Sequence, residues 1–174
     1  NSVGFDWHPE TKEMYFTDNG RDWMGDDIPP CELNKVVNAG DHFGFPFVHG
    51  ENIPDTGFEA PKDFVFSQPV WEFQAHTAPL GIKFYDGGSF PEYYRNGAFV
   101  AQHGSWNRSE KVGYRLLFMK MKEGNVLSAD VFIDGWMSNE TSWGRPVTPL
   151  ILKDGSMLIS DDQADSIIRV TYNG

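Results

Sequence analysis

Cysteine is nearly absent from this chain. Cys31 stands alone among 174 residues, which excludes an internal disulfide framework and leaves the redox compartment unread. Basic charge is scarce as well. Lys and Arg number 14 against 25 Asp and Glu, a formal net charge of −11, so no basic stripe exists to neutralise phosphates and nucleic acid is excluded as a partner. That acidity suits an exported protein or a cation site without deciding between them. No apolar run approaches the length of a membrane span. Long helical patterns have little room either, because 18 Gly and 11 Pro punctuate the sequence and aromatics reach 15%, a mix that suits short strands and turns. Zinc spacings, a Gly-x-Ser-x-Gly elbow and a phosphate loop are all missing. Ser105 lies near His103 but has no elbow and no orienting acid, so a serine nucleophile is not expected.

What is present is a repeated strand pair. Gly4–Pro9 leads through a polar turn into Glu13–Asp18, and Thr148–Leu152 turns at Lys153-Asp154-Gly155 into Ser156–Asp162. Both units run apolar strand, tight turn, apolar strand, hydroxyl and Asp, and Asp-Gly between two such runs signals a hairpin. A looser middle copy joins Gly81–Tyr85 to Gly97–Ala101 across Asp86-Gly87-Gly88 and a Pro-containing insert. Further strands are expected at 35–37, 114–121, 129–133 and 166–172; the run at 114–121 also fits a short helix by periodicity, and Gly113 and Gly124 favour the strand. Repeated four-stranded units with a loaded loop after the second strand are the sequence pattern of a β-propeller. The fold expected is therefore all-β, with about three four-stranded blades in one partial domain over 1–174. Three blades are too few to close a ring and would leave strand edges open to self-association. The first residues, Asn1 to Trp7, read as the start of a strand with no leader. The expectation is that the chain starts inside a structural unit of a larger protein, the alternative being two copies closing one ring.

Chemistry-bearing residues crowd the loops after those strands. Gln102-His103-Gly104-Ser105-Trp106-Asn107-Arg108 packs an imidazole, an indole, amides and a guanidinium into one turn, where a bare connector needs only small polar residues. The first unit ends in Asp18-Asn19-Gly20-Arg21-Asp22-Trp23, where Gly20 permits a sharp turn whose carbonyls suit a hard cation. Asp26, Asp27 and Glu32 are candidate direct ligands; a solvated acidic loop is the alternative, and the spacing is not that of an EF-hand. Gln74-Ala75-His76-Thr77-Ala78-Pro79 carries another His into a strand, and Arg145 is fixed between Gly144 and Pro146 as a carboxylate-binding guanidinium would be. His8, His42 and His49 read as structural. Asn107-Arg108-Ser109 and Asn139-Glu140-Thr141 match the glycosylation sequon, a pattern common by chance.

Taken together, several of these segments resemble the glucose/sorbosone dehydrogenase family, in its sorbosone and pyranose dehydrogenase branch. The resemblance rests on Asp18–Trp23 with Glu32-Leu33-Asn34, Gly40–Pro46, His76–Gly81, Gln102–Arg108, and Gly144–Val147 with Asp154-Gly155, in the family's order along the whole chain. It implies half of a six-bladed propeller from a periplasmic or secreted enzyme that uses pyrroloquinoline quinone (PQQ) and calcium. Such an enzyme oxidises a sugar hydroxyl by hydride transfer and passes the electrons to an acceptor. By the same resemblance, Gly20 and Arg21 offer backbone carbonyls to calcium, while Asn1, Asn19, His76 and His103 contact the cofactor. Arg108 and Arg145 hold its carboxylates, and Gln74 and Trp106 face the substrate. The chain departs from the pattern at three places. Val147 replaces a second Arg of the glucose-oxidising branch, and Cys31 stands where relatives usually have Asp. The family's catalytic His lies in an N-terminal half outside this sequence, and none of the five His occupies its place. The open alternatives are a non-catalytic propeller that binds carbohydrate or protein and a calcium-dependent lactonase.

Overall fold

The computed structural model describes residues 1–174 and contains 15 strands and one turn of 3-10 helix, Glu92–Tyr94. The first sheet holds β1 (Ser2–Trp7), β2 (Met14–Asp18) and β3 (Cys31–Val36). The chain then leaves on an excursion containing the hairpin β4 (Val48–His49) and β5 (Ile53–Pro54), and returns as β6 (Trp71–Phe73) beside β3. In the second sheet β7 (Pro79–Phe84), β8 (Ala98–Gln102), β9 (Arg115–Lys122) and β10 (Asn125–Ile133) are neighbours in chain order. A short hairpin, β11 (Met137–Ser138) and β12 (Thr141–Ser142), precedes a third sheet of β13 (Pro146–Ile151), β14 (Met157–Asp161) and β15 (Ser166–Val170). The expected three four-stranded units are thus two of four strands and one of three, all antiparallel. No helix is long and apolar enough to cross a membrane.

The second sheet is covered on both faces, which explains why its sequence reads as unbroken apolar runs. Successive strand residues point to opposite faces. Ala98, Val100, Leu117 and Met119 accordingly pack against Tyr15, Cys31, Leu33 and Phe73 of the first sheet. Phe99, Ala101, Leu116 and Phe118 pack toward Trp136, Met157 and Ile159 on the side of the third sheet. The segment that matched either strand or helix is therefore strand β9 because both of its faces are buried between sheets. Buried tyrosines keep their hydroxyls satisfied: Tyr15 donates to the Gly124 carbonyl at 2.6 Å and Tyr85 to the Gly155 carbonyl at 3.0 Å.

The first strands of the three sheets lie side by side, and glycine permits the approach. A Cβ on Gly4 would sit 2.2 Å from the Leu80 carbonyl oxygen, and one on Gly81 would sit 2.6 Å from Thr148 Cα. Thr17 donates its hydroxyl to the Leu80 carbonyl at 2.5 Å, tying β2 to β7. Register then aligns the functional ends. Ser2 pairs with Asp18, Pro79 with Gln102 and Pro146 with Asp161. Each sheet therefore starts its first strand and finishes its second at the same end, and those ends meet along the line of β1, β7 and β13.

Candidate functional site

The loops at these aligned ends enclose a cavity of about 270 Å³ lined by Asn1, Asn19, Gly20, Asp22, Cys31, His76, Ala78, His103, Gly104, Trp106, Asn107 and Arg145. Seven of the ten residues to which the resemblance gave a role meet here: Asn1, Asn19, Gly20, His76, His103, Trp106 and Arg145. Arg21 lines a larger adjoining cavity of about 620 Å³, which shares Asn1, Asn19, Gly20 and Asp22 with the first. Arg108 and Gln74 are not among the lining residues of either. Arg108 spends its guanidinium on the carbonyls of Asp26 and Glu110 and on the Asp27 carboxylate, clasping one loop to another. Gln74 is exposed, and its carbonyl accepts from the Thr77 amide and hydroxyl.

Arg145 is fixed from several directions. Its Nε donates to the His103 carbonyl at 3.0 Å and its Nη2 to the Gly104 carbonyl at 2.5 Å, while the guanidinium lies 5.5 Å from the Tyr114 ring centroid. Its backbone amide donates to Asp161 Oδ1 at 2.9 Å. His103 pairs through Nε2 with Asp162 at 2.9 Å, and this hydrogen bond holds the Asp162 carboxyl below its ordinary range. His76 is buried in a left-handed backbone conformation, with Nε2 2.7 Å from the Gly25 carbonyl. The turn carrying His103 is tight because Gly104, at φ +98°, lies against the Tyr114 ring, where a Cβ would come within 2.3 Å.

Two side-chain oxygens on the cavity wall, Asn19 Oδ1 and Asn107 Oδ1, are buried without a hydrogen-bond partner. Orphaned acceptors of this kind call for a donor or a cation. Asn107 cannot turn away freely, because its Nδ2 donates to Asp22 Oδ1 at 2.6 Å. Asn19 Oδ1 beside the Gly20 backbone supplies the hard oxygen chemistry that calcium takes, although six to eight such ligands are needed and most would have to come from the bound ligand and water. No three His, Cys, Asp or Glu side chains converge anywhere in the chain. The acidic candidates are dispersed: Asp26 and Asp27 face Ser109 and Arg108, and Glu32 accepts from the Gly50 amide at 2.6 Å.

The supports beneath the site were only partly legible. Glu32 and the Arg21–Asp55–His49 group anchor the excursion between β3 and β6. Arg21 and then His49 hold the Asp55 carboxyl far below its ordinary range, whereas burial pushes the Glu32 carboxyl up. Asp55 and His49 lie 34 and 28 residues beyond Arg21 in sequence, so nothing local signals the cluster. Beneath the His103 turn, Gln102 donates to Thr77 Oγ1 at 3.1 Å and accepts from Arg115 at 2.7 Å. Cys31 is buried at the cavity wall, and burial pushes its thiol up against the lowering effect of nearby backbone amides from Gly20, Ala78 and His76. His8 and His42 accept backbone amides through Nδ1, as structural histidines do. Ser105 accepts the Val112 amide at 2.9 Å and is buried.

The arrangement of adjoining antiparallel sheets with polar loops gathered at one rim recurs in solved structures of similar fold. The chain superimposes on a Trichoderma reesei carbohydrate-active enzyme of family AA12 with a TM-score of 0.76 at 21% identity, over 97% of this chain and 52% of that one. It superimposes on the PQQ domain of a pyranose dehydrogenase from Coprinopsis cinerea with a TM-score of 0.67 at 16% identity, covering 99% and 54%. A family model described as TrAA12-like matches residues 34–172, and the chain belongs to that family. An uncharacterized protein of Borreliella burgdorferi is 46% identical over 177 residues, 99% of this chain and 47% of its own length. The chain spans about half the length of the relatives it matches.

Proposed function

We propose that this chain is the C-terminal half of a six-bladed propeller enzyme that binds PQQ and calcium and oxidises a sugar hydroxyl. One observation carries the reading: loops from three separate sheets, distant in sequence, bring Asn1, Asn19, His76, His103, Trp106 and Arg145 to one cavity wall. The exposed faces bearing Val3, Phe5 and Trp7 at one end and Leu150 and Ile167 at the other are where further sheets complete the ring. Relatives about twice as long have the chain length for those sheets.

When bound, PQQ supplies a two-electron acceptor and calcium a Lewis acid. The residues of this chain hold and orient. Arg145 presents a preorganised cation to a carboxylate, and His103, tethered through Nε2 to Asp162, lines the same wall. Asn19 Oδ1 and the carbonyls of Gly20 and Arg21 are the oxygens offered to the cation. Trp106 lies at the mouth, where an apolar sugar face would approach. The proton-abstracting base belongs to the other half, and a separate acceptor removes the electrons. The exported, periplasmic or secreted compartment is part of the same proposal.

The test uses the full-length protein, reconstituted with PQQ and calcium and offered a panel of aldoses with an artificial electron acceptor. Acceptor reduction that requires both quinone and calcium is expected. No reduction with any sugar, together with no change in quinone absorbance on titration, refutes the assignment and favours a non-catalytic binding module.

A further inference from the structure

We infer that Trp23 and Trp106 form a platform at the rim of the cavity that stacks a pyranose ring adjacent to the reacting one, so that the preferred ligand is an oligosaccharide. The two indoles sit on loops from different sheets, meet edge to face at 5.5 Å, and are 78% and 61% exposed. Only Trp106 lines the cavity, whereas Trp23 extends the aromatic surface outward from Asp22, which also lines it. Two large apolar side chains held together in water form a patch of the kind that marks a binding surface.

The platform is held in place. Asn107 donates to Asp22, Arg108 to the Asp26 carbonyl, and the Ser109 amide to the Asp26 carboxylate, while His76 grips the Gly25 carbonyl. Trp23 adopts a left-handed backbone conformation, φ +69°, which a bulky residue enters only when its surroundings impose it. Strain of that sort, stored in an exposed aromatic residue beside a cavity, points to a bound-state geometry set in advance.

The surrounding chemistry selects the occupant. Asp22 and Asn107 line the cavity with Trp106, and the exposed Asp27 lies on the Trp23 loop, so polar acceptors and indoles share the same two loops. An apolar C–H face flanked by outward hydroxyl donors, the surface of an all-equatorial pyranose, complements that pattern. Three carboxylates on this loop and a net charge of −11 oppose an acidic ligand.

This inference rests on reading the adjoining cavity as the reaction site, and the test separates the two. Full-length protein without quinone is titrated with a β-1,4-linked glucose trisaccharide and with glucose, following tryptophan fluorescence and heat. The trisaccharide is expected to bind about tenfold more tightly. Trp23→Ala abolishes that advantage and Trp23→Phe, which keeps a ring, retains most of it. Equal affinities for the two sugars, or an advantage that survives Trp23→Ala, overturn the platform. Loss in Trp23→Phe equal to that in Trp23→Ala also overturns it, by pointing to a backbone effect. Quinone titration of the same proteins reports on the cavity separately. A trisaccharide advantage without quinone binding leaves the platform standing and removes the cofactor reading.

Discussion

Gly81→Ala is the perturbation that best probes how the sheets are held together. The added Cβ would lie 2.6 Å from Thr148 Cα, 2.7 Å from Thr148 Oγ1 and 2.8 Å from the Val147 carbonyl oxygen. Two of these atoms are backbone, so no rotamer change relieves the contact, and β7 must move away from β13. Overpacking of this kind costs about 1–3 kcal/mol. For a chain of this length that lowers Tm by roughly 2–12 °C. Arg145 immediately precedes β13 and binds the His103 and Gly104 carbonyls at the end of β8, so the same separation loosens the cavity wall. Gly88→Ala is the control, because nothing lies within 4 Å of its Cβ position; neutrality or a gain of up to about 1 kcal/mol is expected there. Urea unfolding of the two variants, read by tryptophan fluorescence, makes the comparison. Equal midpoints for Gly81→Ala, Gly88→Ala and the parent protein would refute the account of strand contact between the second and third sheets.

Phe99→Ala, at a fully buried position with the Phe132 ring 4.7 Å away and the Phe118 ring at 5.3 Å, should lose about 3–5 kcal/mol in the same unfolding assay. Arg145→Lys replaces a planar fork by a point charge that cannot reproduce its contacts. Quinone affinity, followed by absorbance, should fall about tenfold or more. Stability should decline on acidification in two stages. Burial lowers the His8 pKa below 6.5, and hydrogen bonds from Arg21 and then His49 lower that of Asp55 below 3.8. Each therefore stabilises the fold above its unfolded value and loses that contribution as pH falls through the folded one. Glu32, raised above 4.5 by burial, acts in the opposite sense and favours the fold when protonated. Urea midpoints measured from pH 7 to pH 3 should show the decline, with the lower stage absent in Asp55→Asn; an unchanged acid limb in that variant contradicts the assigned role.

The sequence alone determined most of the longer strands and the end of each sheet where chemistry gathers, although β3, expected only at 35–37, runs Cys31–Val36 and takes Glu32 out of the loop. Apolar alternation, Asp154-Gly155 and the loaded loops after β2 and β8 are local signals, because turn geometry and side-chain period act over a few residues. The return of β6 beside β3, the hairpins β4–β5 and β11–β12, and the three-stranded last sheet were not legible. β6 pairs with a strand far back in the chain, Trp71 opposite Leu33, and the two-residue strands of β4–β5 and β11–β12 are too short to carry a periodic signal. The hydrogen bond from the Gly50 amide to Glu32 shows how a distant partner holds the excursion. Which polar residues face the cavity was likewise a tertiary decision. Arg108 and Arg145 look alike in sequence, yet Asp26 and Asp27 draw Arg108 into a loop clasp while the carbonyls after β8 hold Arg145 at the cavity wall. A guanidinium goes where unpaired acceptors stand, and the packing of neighbouring sheets sets where those acceptors are.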